Sequence, residues 1–88
     1  MNLPQQLEQA RQLSELWAAM IDGHLPTQRQ FLIWLTIYDP AIVEKGIQRC
    51  AIWANKPKDR VLADDEYVRY ASGVMANAKR EAQGVARG

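Results

Sequence analysis

The chain has a single cysteine, Cys50, and a single histidine, His24, and no apolar run approaching the ~18–20 residues needed to cross a bilayer. One thiol excludes an internal disulfide and a cysteine-rich metal cluster, and it suits a reducing compartment. One imidazole excludes paired-histidine metal ligation and leaves a histidine-based triad without support. The N-terminus lacks a basic segment followed by an apolar one, so no secretory signal is expected and the cytoplasm is the expected location. Internal repeats and low-complexity tracts are absent, and Ser72-Gly73 has no phosphate-loop spacing around it. These absences point to a protein that is not an enzyme and carries neither cofactor nor metal.

What is present is an ordinary globular mixture. Of 88 residues, 48% are hydrophobic and 24% charged, enough for one domain and one hydrophobic core. The charges are unevenly placed. Residues 1–44 hold Arg11 and Arg29 against five acids, net −3, whereas residues 45–88 hold nine cations against five acids, net +4. Any attraction for a polyanion therefore belongs to the C-terminal half; the other reading is a surface that is merely unevenly solvated.

Helix punctuation is legible throughout. Leu3, Leu7, Ala10, Leu13, Trp17 and Met20 recur at steps of three and four, which predicts an amphipathic helix over residues 4–21, stopped at Asp22-Gly23. Thr27 and Gln30 form a T-x-x-Q capping box ahead of Phe31-Leu32-Ile33-Trp34-Leu35, a run apolar on nearly every side. A strand competes there, because β-branched and aromatic residues abound, and the capping box favours helix. Asp39-Pro40 opens a third helix, with Val43, Ile47, Cys50, Ala51 and Ala54 on one face and an end near Asn55. Gly46 inside it is expected to admit a neighbouring helix at close range. After the polar connection Lys56–Arg60, Asp64 or Asp65 caps a last helix reaching about Gln83, with Val68, Ala71, Val74, Met75 and Ala78 inward. The expectation is an all-α bundle of about four helices: an N-terminal helix in residues 1–24, a helical core in 25–83 and a frayed tail in 84–88. Trp34, Leu35, Ile47 and Val74 are expected among its most buried residues.

Chemically suggestive residues each have a plainer explanation. Asp64, Asp65 and Glu66 resemble a cation cluster, yet acids belong in the first turn of a helix, where they complement its dipole. His24 reads as a solvated turn residue, and Cys50 as a small hydrophobe on an inward face. Trp17 and Trp34 belong to the core; Trp53 either packs under the Lys56–Arg60 connection or is partly exposed for a partner.

The stretch Tyr70-Ala71-Ser72-Gly73-Val74-Met75-Ala76-Asn77-Ala78, read as Y-x-x-x-V-M-x-N, resembles the closing motif of the DnaD-like replication-initiation domain, where a tyrosine is followed by an aliphatic pair and then Asn-Trp. Upstream, Trp34 and Tyr38 precede Val43, Gly46-Ile47, Ala51 and Asn55, similar to the family's aliphatic helix ahead of its motif helix, so the resemblance covers about residues 31–82. It implies a compact helical module of bacterial and phage primosomes whose closing helix contributes to single-stranded DNA binding and to contacts with replication proteins. By position it singles out Tyr70, Val74 and Asn77. Ala78 stands where the family has tryptophan, which removes the largest aromatic of a base-stacking surface.

Cations with an aromatic among them are what sequence-tolerant nucleic-acid binding requires. The candidate nucleic-acid-binding residues are Lys56, Lys58 and Arg60 in the connection, with Arg69, Tyr70, Asn77, Lys79 and Arg80 on the last helix. The expected function is a helical module accessory to replication or to a phage or other mobile element, binding single-stranded DNA or a replication protein. The alternatives are a protein–protein adaptor or a small homodimer held by the apolar stripe of the first helix, with Tyr70 in the core and the cations only solvated.

Overall fold

A computed structural model describes the backbone of residues 2–87 and the side chains of residues 2–84. Four helices follow one another: α1 (Leu3–Met20), α2 (Gln28–Ile37), α3 (Pro40–Ala54) and α4 (Asp64–Arg87), with no strand among the described residues. No helix among them is long and apolar enough to cross a membrane.

Local chemistry sets each start. Asn2 caps α1 and shares a full reciprocal box with Gln5, a pairing that apolar periodicity alone does not reveal. Thr27 accepts the Gln30 N–H at 3.2 Å, which is one half of the expected box. At α3, Asp39 occupies the cap position without a side-chain cap bond, so the fixed backbone of Pro40 carries the initiation. Glu66 reaches back from the first turn of α4 to accept the Ala63 N–H at 2.9 Å. Among the described residues only Gly23 has positive φ, 99°, in the turn after α1. The last helix runs on to Arg87, past the expected end at Gln83; one glycine, Gly84, is a small enough penalty for a long helix to absorb. Gly88 lies outside the described residues.

The core is organised around three aromatic rings. Trp17 stacks on Trp34 with centroids 6.0 Å apart, and Phe31 meets both edge-on at 6.1 and 5.5 Å. Burial of an indole requires a partner for its N–H. Trp17 donates to the His24 carbonyl at 2.6 Å, pinning the α1–α2 turn, and Trp34 donates to Ser72 Oγ at 2.9 Å, tying α2 to α4. Ala10 and Leu13 of α1 also face this core, leaving Leu3 and Leu7 as the exposed part of its apolar stripe.

Against the antiparallel α4, α3 packs at very short range. A Cβ on Gly46 would stand 2.6 Å from Met75 Cγ and 3.1 Å from the Ala71 carbonyl oxygen, which is the close approach its presence in a helix predicts. Trp34 and Ile47 are buried as expected, but Leu35 and Val74 are only half-buried. Tyr67, Ala71, Met75 and Ala78 form the inward face of α4, so Val74 is turned toward the edge of the α3 contact.

Candidate nucleic-acid interface

Along α3, Lys45, Arg49 and Trp53 follow at four-residue steps and so lie along one side of the helix. That side borders α4. Where the two helices meet the connection, Trp53 stacks on Tyr70 with ring centroids 4.4 Å apart and planes 5° from parallel. Tyr67 meets the edge of Trp53 at 6.2 Å. Lys58 folds over the indole, its Nζ 5.3 Å from the ring centroid, and donates to the Trp53 carbonyl and, at 2.9 Å, to that of Lys56. Trp53 is thus half-buried beneath the connection while its partner Tyr70 stays exposed, so each of the two sequence-based readings of Trp53 describes part of it.

A shallow depression of about 380 Å³, lined by Trp53, Glu66, Arg69 and Tyr70, opens beside the stack. Its acid is neutralised. Arg60 grips Glu66 with two bonds of 2.6 Å, and with the Ala63 N–H this holds the Glu66 carboxyl down at about 2. Arg69 faces Asp65 at 2.9 Å across one turn, with both side chains largely in solvent. Such a surface pair is weak enough to exchange for a phosphate.

One step further along, Lys45 and Arg49 of α3 and Val74, Asn77, Ala78 and Glu81 of α4 line a groove of about 160 Å³. Asn77 lies two turns beyond Tyr70 on the same side of α4, and its Oδ1 accepts from Arg80. Arg69 and Arg80, three turns apart, also share a side. The expected residues Lys58, Arg69, Tyr70 and Asn77 therefore border the α3–α4 seam, and Arg80 reaches it only through its bond to Asn77.

The remaining three do not join them equally. Lys56 is exposed in the connection, and Arg60 is committed to Glu66. Lys79 is nine residues beyond Tyr70, half a turn round the helix and on the opposite side. There it donates to the Ile37 carbonyl at 3.2 Å and lies 5.7 Å from the Tyr38 ring, closing the end of α2. It is a structural contact, not a loosely held terminal cation. Lys45 and Arg49 join the seam without being among the sequence-based candidates, although their spacing to Trp53 is open to a helical-wheel reading.

The other suspected residues have structural roles. His24 is half-buried, its ring 5.7 Å from that of Tyr67 and its Nδ1 3.5 Å from Asp64, so it is not simply a solvated turn residue. Cys50 is fully buried, its Sγ 3.6 Å from the Tyr67 carbonyl, and burial pushes its thiol up to about 11, far from a reactive thiolate. Among the described residues no three of the His, Cys, Asp and Glu side chains converge as a metal site would require. Compared with known proteins, the chain matches no family model, no curated protein and no solved structure.

Proposed function

We propose that this chain is a non-catalytic helical module that binds single-stranded nucleic acid along the α3–α4 seam, as an accessory to DNA replication or to a phage or other mobile element. The observation that carries the reading is the Trp53–Tyr70 stack. Its inner ring is fixed by Tyr67 and Lys58, and its outer ring, Tyr70, is 37% exposed beside Arg69. An unpaired base can extend that pile while its phosphate meets the guanidinium, an arrangement indifferent to base identity. The replication setting is supported by the resemblance of residues 31–82 to the DnaD-like domain, carried above all by Tyr70, Val74 and Asn77 in its closing motif. The homodimer or adaptor alternative draws on the stripe of α1, of which only Leu3 and Leu7 remain exposed.

Fluorescence anisotropy of a labelled oligothymidylate tests the proposal. Binding is expected at low salt and should weaken steeply as salt rises. Tyr70→Ala is expected to remove about 1–3 kcal/mol, roughly a 5- to 150-fold loss of affinity. Lys79→Gln, altered on the opposite side of α4, is expected to leave affinity unchanged. Absence of binding at low salt overturns the proposal, as does equal displacement by polyglutamate, which would reduce the interaction to general anion attraction.

A further inference from the structure

We infer that a bound strand leaves the Trp53–Tyr70 stack along the α3–α4 groove, with Lys45 and Arg49 as its phosphate contacts. The inference rests on the nucleic-acid reading above and gives that reading a direction and a length.

Three observations converge on this path. Lys45 and Arg49 are exposed and make no ion pair or side-chain hydrogen bond among the described residues, whereas Arg11, Arg60 and Arg69 each face a carboxylate. Two like charges at i and i+4 repel and weaken the helix that bears them, so their pairing on this side of α3 is not itself a stabilising feature. Second, the groove has an apolar side, Val74 with Ala78, next to the Asn77 amide that Arg80 engages. Sugar and base edges can rest there while the cations of α3 take the backbone. Third, acid is sparse along the path. Two cations and one acid, Glu81, line the groove, and Glu44 lines a separate depression shared with α1.

Length follows from helix geometry. Lys45 and Trp53 are eight residues apart, about 12 Å along α3 at the usual rise. At about 3.4 Å per nucleotide of a stacked strand, that distance holds roughly three to four phosphates beyond the base on Tyr70. Affinity is therefore expected to climb with oligothymidylate length and level off at about four to five nucleotides.

The test compares oligothymidylates of increasing length at several salt concentrations, using the whole chain and its K45Q/R49Q and Y70A variants. Loss of two phosphate contacts should reduce the slope of log affinity against log salt by about 0.7 for each, and the length dependence should level off about one to two nucleotides earlier. Y70A should lose affinity with the slope unchanged. Circular dichroism of the double variant should match the parent, since neither side chain is used in packing. If K45Q/R49Q keeps the parent's slope and length dependence while Y70A binds poorly, the path is overturned and the stacking site stands. If the parent binds no oligothymidylate at low salt, both fall together.

Discussion

Two aromatic groups in this chain are built from the same parts and behave differently. Around Trp17, Phe31 and Trp34 every ring is enclosed, and both indole N–H groups have partners inside the protein. Around Trp53 and Tyr70 the rings are closer and more nearly parallel, yet one is only half-buried and the other open to solvent. The first group gains its free energy from apolar area removed from water and holds three helices in register. The second leaves part of that gain unused, with cations at its border. An aromatic stack becomes a candidate binding surface through what remains uncovered, not through stacking itself.

The contrast is broken first by emptying each site. Trp34→Ala is expected to cost about 3–5 kcal/mol, enough to lower the melting temperature of a domain this small by roughly ten degrees or more. Trp53→Ala should cost about 1–2 kcal/mol, because less of its area is buried. Thermal melts that rank the two variants the other way would make the seam, not the three-ring cluster, the stabilising centre.

Two glycines sharpen the same distinction at smaller magnitude. Gly46→Ala sets a methyl against Met75 and a backbone carbonyl, an overpacking of about 1–3 kcal/mol that outweighs the ~1 kcal/mol of better helix propensity. Gly73, one turn from Tyr70 on α4, has nothing within 4 Å of where an added methyl would stand, so Gly73→Ala is expected to stabilise by about 0.5–1 kcal/mol. Denaturant midpoints measure both signs.

The smallest effect belongs to the border of the seam. Glu66 has its carboxyl lowered from 4.5 to about 2 by Arg60 and the Ala63 N–H. A carboxyl depressed on folding contributes stability that is present above its unfolded value and lost as pH falls through the folded one. Melts of the parent should therefore decline between pH 4.5 and about 2, and Glu66→Gln should flatten part of that decline. An unchanged profile would mean that the pair is broken in solution.

Much of this fold is legible in the sequence because its signals are local. Thr27, Asp39-Pro40 and Gly23 mark boundaries through backbone chemistry that needs no tertiary information, and Gly46 announces a close helix contact by being tolerated mid-helix. The helical bundle follows from such marks together with three-four periodicity. Leu35 defeats the same reasoning because α2 is apolar almost all round, so periodicity cannot say which side faces in. Val74 and Met75 are neighbours, and a shift of one residue exchanges core for groove edge; Tyr67 escapes notice because its hydroxyl suggests a surface that its ring does not occupy.

For the candidate site, clustering in sequence is a poor guide to clustering in space. Lys79 and Arg80 are adjacent in the chain and end on different sides of α4, whereas Arg49 and Tyr70 come from separate helices and border one seam. Ion pairing is equally hidden: nothing in the spacing of Arg60 and Glu66 discloses that a turn between them folds back to join them. The α3 cations are within reach of a helical-wheel argument, since Lys45, Arg49 and Trp53 share one stripe next to the inward face.

The unequal enclosure of the three indoles has an optical consequence. Trp17 and Trp34 emit from surroundings that exclude water, while Trp53 emits from a partly wetted one beneath a lysine ammonium. Intrinsic fluorescence is accordingly a sum of a blue, shielded component and a redder one open to collisional quenchers. A ligand at the seam perturbs chiefly the second, whereas unfolding wets all three indoles, so a change confined to the redder component reports occupancy and a shift of the blue one reports unfolding, without any attached dye.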